Sequence, residues 1–425
     1  MKTLDTLIKE NSNLEEVEDF SQKKLIALNF FFLGFIVYTL SYVIKGNPHI
    51  PVKIGELFQF IGILVFIPSA SYLIRYRIKN NYLKVLFSFY LIWSIITIFR
   101  GIHLNYDSIK AMLVDANFGI FIYLAPLIIL FPQKFIFYKK LFDVIMVLAI
   151  SFLLFDILFI KQLLDRSSAT QDVIEYLAKF LSIPCGYILI TYKYHPRNRK
   201  LLAFGVMIIS LLFALYKARR GLSLICGSIL IFSYFLYLVN TKRVVITIYL
   251  SVLLVLGGAY YESSIYNINN NKLFSFIAKR GEEDTRTPVE LYFYSDFKTN
   301  DWLIGRGING EYYCPNIDED QLTDYRSYIE TGYLEFILKG GMIFLGLYLL
   351  MLIPALFLGL FYSKNILSKA AAIWIIVSLL ALYPSTVNTF TLNFLLVWIS
   401  AGICYSSELR NLSDNQIKTF LASIN

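Results

Sequence analysis

Residues 332–362, GYLEFILKGGMIFLGLYLLMLIPALFLGLFY, form a nearly unbroken apolar run of the kind that crosses a lipid bilayer as a helix. Glu335 and Lys339 are the charged residues within it. About 20 apolar residues in helical conformation span the hydrocarbon core of a membrane. This run is longer than one crossing needs, so we expect it to begin as a half-buried or tilted helix before it spans.

Similar apolar runs recur along the whole chain. Of its 425 residues, 57 % are hydrophobic and only 16 % are charged, whereas soluble domains are about a quarter charged. The pattern predicts an all-α polytopic membrane protein with about 12 transmembrane helices and one large extracytoplasmic loop. The predicted spans are residues 25–44, 54–74, 82–100, 113–131, 139–160, 173–192, 199–216, 220–239, 243–262, 332–362, 368–386 and 388–406.

The short loops between these runs predict the orientation of the chain. Lys and Arg concentrate in every second loop, at residues 75–84, 134–140, 193–200, 242–243 and 364–369. Loops rich in positive charge stay in the cytoplasm during membrane insertion. We therefore place these five loops inside, which makes both termini cytoplasmic.

This orientation divides the multi-pass chain into five parts. They are a cytoplasmic N-terminal tail (1–24), transmembrane helices 1–9 (25–262), a large periplasmic loop (263–331), transmembrane helices 10–12 (332–406) and a cytoplasmic C-terminal tail (407–425). No cleavable signal peptide is evident, so we expect the first span to act as the insertion signal.

Composition also bears on the classes of ligand. The net charge of +9 does not indicate a nucleic-acid partner, because the cations lie in short clusters between apolar runs. Cys314 is the one cysteine of the large loop, and the three histidines are scattered. Without a Cys/His cluster of metal-ligand spacing, we expect no metal, no cofactor and no nucleic acid.

The turn Lys217-Ala218-Arg219-Arg220-Gly221 places three cations on the predicted outer side, against the orientation rule. Arg219 and Arg220 present planar, permanently charged groups that suit phosphate or diphosphate. Gly221 would let the backbone approach such a ligand closely. The alternative is that the two arginines are residues of a helix end that extend to the membrane surface.

A second charged segment leads into the tenth predicted span. Glu330 and Arg326 lie four residues apart, on one face of a helix if the segment is helical. They could form a structural ion pair, or Glu330 could be a general base with Arg326 near an anion. Glu335 lies deeper and could equally be a buried polar group bonded to a neighbouring helix.

The large loop itself carries further candidates for substrate binding. Arg280 and Arg286 flank an acidic stretch, and Arg306 follows Trp302 in the Gly-rich segment Gly305–Gly310. Aromatic rings stack on the apolar faces of sugars, although a solvated amphipathic segment explains residues 279–286 as well. Gly305-Arg306-Gly307 lacks the strand and helix of a nucleotide fingerprint, so we interpret it as a turn.

These segments resemble the O-antigen polymerase and O-antigen ligase superfamily. The matching words are Arg219-Arg220-Gly221, then Ile304-Gly305-Arg306-Gly307, then Glu330-Thr331-Gly332-Tyr333-Leu334-Glu335 and the glycines after Lys339. The motif-bearing resemblance covers residues 220–345. Ligases of the superfamily carry a His-Asn pair where this chain has Glu330 and Thr331, a departure that favours the polymerase branch.

The resemblance implies a glycosyltransferase of the bacterial inner (cytoplasmic) membrane. Its donor and acceptor would be undecaprenyl-diphosphate-linked glycans, and its product O-antigen or a capsule-like polysaccharide made at the outer face of the membrane. Membrane lipid and a chain-length regulator are the other implied partners. A ligase that transfers glycan to lipid A-core, and a transporter or flippase of lipid-linked sugar, remain the alternatives.

The resemblance and the residues together predict the roles of individual side chains. A sugar hydroxyl would attack the anomeric carbon and release a diphosphate, whose developing charge needs fixed cations. Arg219 and Arg220 would supply them, with Arg306 or Arg326 completing the clamp and Glu330 acting as the base. Tyr333 and Glu335 would shape the site, and Arg280 and Arg286 would contact substrate. No metal would take part.

Overall fold

The computed structural model describes residues 21–45, 51–76, 78–115, 119–165, 171–240, 286–315 and 323–424. Within these ranges most of the chain is helical, and turns and a pair of two-residue strands make up the rest. The helices are α1 (Gln22–Lys45), α2 (Val52–Leu73), α3 (Asn81–Gly101), α4 (Tyr106–Val114), α5 (Phe121–Leu124), α6 (Phe135–Leu158), α7 (Ile160–Leu164), α8 (Gln171–Leu177), α9 (Cys185–Ile190), α10 (Arg197–Tyr216), α11 (Arg220–Val239), α12 (Thr287–Asp296), α13 (Thr299–Ile304), α14 (Gly332–Phe361), α15 (Ile366–Ala381), α16 (Leu392–Tyr405), α17 (Ser407–Asn411) and α18 (Asp414–Ser423). The strands, β1 (Tyr312–Tyr313) and β2 (Tyr325–Arg326), pair antiparallel within the loop.

Seven of the described helices are long and apolar enough to cross a membrane, namely α1, α2, α3, α6, α10, α11 and α14. Three shorter apolar helical segments accompany them, at Phe121–Leu130, Ile366–Ala381 and Leu392–Tyr405. Many large apolar side chains of the long helices point outwards, such as Phe99, Ile157 and Ile231. The fold is therefore that of an all-α polytopic membrane protein, which confirms the predicted class.

Two of the predicted spans are interrupted helices in the structure. In 113–131, α4 ends at the C-cap Asp115, and a 3-10 segment (Ala125–Leu130) with Pro126 in its first turn follows α5. In 173–192, α8 continues into a π-helical turn (Ala178–Ser182), and Pro184 precedes α9. Proline ends the regular hydrogen-bond pattern of a helix in both places. The predicted span 243–262 lies outside the described residues.

Helix α14 is broken near its start. Gly341 has φ 71° and ψ −176°, a left-handed conformation that separates residues 332–340 from the long apolar segment after it. A separate first segment was predicted for this run. That segment was expected to be half-buried. In the structure residues 334–340 are fully buried, by the loop and by neighbouring helices.

The two ends of the helical bundle differ in the contacts that their residues make. At one, the tail end, Asp414 of α18 accepts hydrogen bonds from Lys193 Nζ (2.8 Å), Tyr194 OH (2.6 Å) and Ile366 N (2.7 Å). At the other, the loop end, Gly101 of α3 packs against Gly307, where a Cβ atom on either residue would overlap the other. The starts of α11 and α14 also lie at the loop end.

Candidate functional site

The turn between α15 and α16, residues 382–388, brings three parts of the chain together at the loop end. Gly332 N, at the start of α14, donates to Leu382 O at 2.7 Å. Arg286 Nη2, just before α12, donates to Pro384 O at 2.6 Å. A Cβ on Gly221 would lie 2.7 Å from the same Pro384 oxygen, so α11 also begins against this turn. The Arg-Arg-Gly segment and the start of α14 therefore both contact this turn.

Glu330 pairs with Arg286 instead of Arg326. The distance from Glu330 Oε2 to Arg286 Nε is 3.4 Å, and both side chains remain about two-fifths exposed. Arg326 lies in β2, buried, with its guanidinium 4.6 Å from the centre of the Tyr328 ring. The predicted helical pairing of Glu330 and Arg326 is wrong because α14 begins only at Gly332, so residues four apart before it do not share a helix face.

Arg219 belongs to a three-residue ion cluster. Glu175 of α8 lies 3.3 Å from Arg219 Nη1 through one carboxylate oxygen and 3.3 Å from Lys179 Nζ through the other. Arg286 also acts electrostatically on Glu175. We name Glu175, Lys179 and Arg219 the anion cluster. It connects the interrupted helix at 171–190 with the start of α11.

The start of α11 is suited to anions. Arg219 is its N-cap residue and Arg220 its exposed first residue, with no acidic residue in the first turn. The N-terminus of a helix carries partial positive charge and favours anions. Two arginines there oppose the helix dipole, and so do not stabilise the helix itself. Their position favours a role in binding an anion.

The third cation of the same turn has a structural role. Lys217 is 1 % exposed, and its Nζ donates to Gln162 O at 2.9 Å and also to Asp165 O. It thereby fastens the turn to α7 and to Asp165, the residue after it. Ala218 next to it has φ 54°, which is uncommon for a residue other than glycine.

A cleft opens beside the anion cluster, with a volume of about 600 Å³ including the part open to solvent. Lys179, Ser385, Asn388 and Asn393 give it polar groups, and Asn393 Nδ2 donates to Lys179 O at 2.5 Å. The rest of the lining is mainly apolar and aromatic, including Ile183, Ile225, Tyr348, Trp374, Val377, Phe394 and Val397. An apolar pocket with a few polar groups is typical of binding sites for small organic ligands.

Arg306 is held by the loop. Its Nε and Nη2 donate to Asp301 Oδ2 at 3.2 and 2.8 Å, and its Nη1 to Asp296 Oδ2 at 2.5 Å. Nη1 also donates to Glu311 O at 2.7 Å and Nη2 to Asp296 O at 2.9 Å. These bonds engage all five guanidinium donors. The predicted role of Arg306 in a diphosphate clamp therefore gives way to a structural role.

The Gly305–Gly307 segment docks its backbone on the break in α14. Arg306 N donates to Leu338 O at 2.8 Å, and Gly307 N to Lys339 O at 2.9 Å. Gly305 has φ 69° and lies against Gly341, where a Cβ atom would be 2.5 Å from Gly341 N. The segment is a turn, as predicted, and the glycines serve close contact between backbones.

Glu335 and Lys339 lie beneath this loop, away from solvent. Glu335, which is 0 % exposed, accepts a hydrogen bond from Ile329 N at 2.9 Å. Lys339 Nζ donates to Ser327 O at 2.6 Å and to Gly310 O at 3.1 Å. Glu335 was predicted either to shape the site or to be a buried polar group. It is buried, it holds the backbone just before Glu330, and it is not among the residues that line the cleft.

The remaining candidates are placed as follows. Tyr333 OH donates to Leu379 O at 2.7 Å and so joins α14 to the last turn of α15 beside the site. Thr331 Oγ1 bonds the carboxylate of Glu290. Arg280 lies outside the described residues. Among the residues described, no group of three or more His, Cys, Asp or Glu side chains is placed to hold a metal ion.

Sequence reasoning missed Glu175, Lys179 and the turn at 382–388. Glu175 and Lys179 lie four residues apart in an apolar segment, and two opposite charges at that spacing mark one helix face. That spacing was a signal for their pairing, although nothing in it shows that Arg219 lies alongside. The turn has no charged residue, and its role comes from backbone carbonyls that a sequence pattern does not reveal.

Comparisons of this chain with protein-family models, with curated proteins and with solved structures find no match. Its function is therefore inferred from the side chains gathered at the loop end.

Proposed function

We propose that this protein polymerises undecaprenyl-diphosphate-linked oligosaccharide repeat units into O-antigen or a capsule-like polysaccharide, at the outer face of the bacterial cytoplasmic membrane. The observation that carries the proposal is that Arg286, which pairs with Glu330, and Gly221, which follows the two arginines of the Arg-Arg-Gly segment, contact one turn beside a cleft. Fixed cations and a carboxylate at one site are what transfer of a sugar from a diphosphate requires.

The cations would hold the diphosphate of the donor. Arg219, Arg220, Lys179 and Arg286 come from three separate parts of the chain, and the N-terminus of α11 adds its partial charge. As the glycosidic oxygen leaves with the diphosphate, negative charge grows on the leaving group. Preorganised cations stabilise that charge without a metal, typically by several kcal/mol for such groups.

Glu330 would take the proton of the attacking sugar hydroxyl. Its carboxylate is reachable from solvent and is oriented by Arg286 at 3.4 Å. The hydroxyl oxygen bonds to the anomeric carbon, the bond from that carbon to the diphosphate oxygen breaks, and the proton moves to Glu330. A positioned base of this kind contributes about 10²–10⁴-fold to a rate.

The proposal places the loop end outside and the tail end in the cytoplasm. Described cations at the tail end include Arg75, Lys79, Lys134, Lys139, Lys193, Arg197, Lys364 and Arg410, and positive loops remain inside. Helix α11 ends at the tail end, where Tyr237 contacts Tyr192, whereas Arg286 lies at the loop end. A ninth span at 243–262 would join them, for a total of about 12 spans with the large loop at 263–331 outside.

Deletion of the gene in its host tests this function. The surface polysaccharide is examined on gels, and lipid-linked intermediates are measured by mass spectrometry. Loss of the long ladder, with single repeat units still on lipid A-core, is the result that the proposal predicts. Long polymer retained on undecaprenyl diphosphate would indicate a ligase. Unchanged polymer and unchanged intermediates would contradict both enzyme functions and favour a transporter.

A further inference from the structure

Glu175 occupies the space between two cations of the proposed diphosphate site. Its two carboxylate oxygens lie 3.3 Å from Arg219 Nη1 and 3.3 Å from Lys179 Nζ. The side chains of Lys179 and Arg219 are 16 % and 19 % exposed, so the pairs are neither fully buried nor at the open surface. Each oxygen stands where the oxygen of an anionic ligand would stand.

Three features indicate that this carboxylate is replaceable. Charge-assisted hydrogen bonds between a cation and a carboxylate are shortest at about 2.7–2.9 Å, and both contacts here are longer. Lys179 also lines the cleft, so a ligand in the cleft reaches one of the cations that Glu175 holds. Lys179 itself belongs to a π-helical turn, and such turns are frequent at functional sites.

We propose that Glu175 is an internal counter-ion which the diphosphate of the substrate displaces. The inference rests on the proposed function for the class of ligand. In the ligand-free protein the carboxylate bridges Lys179 and Arg219 and offsets one of their two positive charges. Because it belongs to the same chain, it competes at high effective concentration. A diphosphate carries several charges and can bridge both cations at once, so it competes better than a singly charged anion.

Binding of inorganic diphosphate to the full-length protein in an uncharged detergent tests this inference. Isothermal titration calorimetry at low salt, without divalent cations, gives the dissociation constant for wild type, Glu175→Gln and Glu175→Asp. Glu175→Gln keeps the size of the side chain and removes its charge, and we expect it to tighten binding about fivefold, the upper end of the effect of one ion pair near the surface. Glu175→Asp shortens the side chain and should give a smaller gain.

The matched control is Asp143→Asn. Asp143 pairs with Arg199 at 2.7 Å near the tail end, in a more exposed ion pair than those of Glu175, and its loss changes the net charge equally. We expect diphosphate binding of Asp143→Asn to equal that of wild type. The inference is overturned if Glu175→Gln binds diphosphate no more tightly than wild type. It is also overturned if Asp143→Asn gains as much affinity as Glu175→Gln, or if no variant binds diphosphate. If Glu175→Gln does not fold, an unchanged constant in Glu175→Asp overturns it.

The same experiment separates the inference from the proposed function, because it measures binding without turnover. Tighter diphosphate binding by Glu175→Gln, together with normal polysaccharide in the deletion strain, would support the role of Glu175 at an anion site and contradict the proposed polymerase function. Loss of polymer in that strain, together with unchanged binding by Glu175→Gln, would support the polymerase function and contradict the role of Glu175.

Discussion

The three cations of the turn Lys217–Gly221 differ in what surrounds them, although they lie within four residues of one another. Lys217 is buried against backbone carbonyls, Arg219 faces Glu175, and Arg220 is exposed at the first residue of α11. A buried charge needs nearby partners to offset its desolvation, and Lys217 has them in α7 and in the residue after it. A substitution at Lys217 would therefore act on folding, whereas one at Arg219 or Arg220 would act on an anionic ligand.

His195 gives the protein a specific dependence on pH. Burial, followed by the charges of Arg199 and Lys200, lowers the pKa of His195 to about 3, compared with about 6.5 in the unfolded chain. Between these values the unfolded chain binds a proton that the folded protein does not. His195 therefore costs no stability above about pH 6.5, and the folded state loses stability as the pH falls below it. From pH 7 to pH 5 we expect a loss of about 2 kcal/mol in the free energy of unfolding.

The measurement is unfolding in detergent at a series of pH values, for wild type and His195→Gln. Thr191 Oγ1 lies 2.9 Å from His195 Nε2. A glutamine at residue 195 can keep a hydrogen bond to Thr191, but its side chain does not titrate. The variant should lose most of the decline between pH 7 and pH 5. His103→Gln is the control, since His103 is exposed and its loss should leave the decline intact. A decline of the same size in His195→Gln would contradict this account.

At the scale of single elements, the break in α14 determines how the loop is attached. An uninterrupted helix would use the carbonyls of Leu338 and Lys339 for its own next turn. With Gly341 in a left-handed conformation, those carbonyls accept from Arg306 N and Gly307 N. Lys339 and Glu335 then bond the backbone at Ser327 and Ile329. The first segment of α14 therefore positions the residues that lead to Glu330.

Gly341→Ala should disrupt this attachment. A Cβ at residue 341 would lie 2.2 Å from Leu303 O, and φ of 71° is strained for alanine. We expect a loss of stability of about 2–3 kcal/mol, together with faster amide hydrogen exchange in residues 299–310. Thermal unfolding and exchange with mass spectrometry measure the two effects.

Gly346→Ala is the matched control within the same helix. A Cβ on Gly346 meets no atom within 4 Å, and alanine favours a helix by about 1 kcal/mol over glycine. Stability should rise slightly or stay constant, with unchanged exchange in the loop. If Gly341→Ala behaved like Gly346→Ala, the break would not be what attaches the loop.

Sequence reasoning identified the elements better than their contacts. Apolar runs such as 199–216 and 220–239 became long helices, because about 20 apolar residues specify a span without reference to neighbours. The pairing of Glu330 with Arg286 was missed, because it depends on where α14 starts and on the turn at Pro384. Arg306 was predicted to bind ligand because the sequence does not show its acceptors. Asp296 and Asp301 come within reach of it only once α12 and α13 have folded.

At the scale of the whole molecule, the two ends of the bundle have different chemistry. The tail end carries α17 and α18, fastened by Asn365 Nδ2 to Leu409 O at 2.7 Å and by Asp414 to Lys193. The loop end carries the anion cluster, Glu330 and the cleft. A reaction at the loop end meets lipid-linked sugar only if that end faces the outer surface.

Labelling of single cysteines tests the orientation. All four native cysteines are buried, so background labelling of these residues should be low. Lys298→Cys lies at an exposed position of the loop and Lys418→Cys at an exposed position of α18. In intact spheroplasts, a membrane-impermeant maleimide should label residue 298 and leave residue 418 unlabelled. After permeabilisation both should react, which is the control, and preferential labelling of residue 418 in intact cells would reverse the proposed topology.

The measurement that tests the central claim most directly is transfer by the purified protein in liposomes. A single repeat unit on undecaprenyl diphosphate serves as both donor and acceptor, and mass spectrometry follows lipid-linked products and released undecaprenyl diphosphate. Wild type should make longer lipid-linked glycan with release of the lipid diphosphate. Arg219→Ala and Glu330→Gln should each lower the rate by about 10²-fold or more, while Asp324→Asn, which changes another exposed loop carboxylate, should match wild type. No elongation by wild type, or equal elongation by all four proteins, would contradict the account.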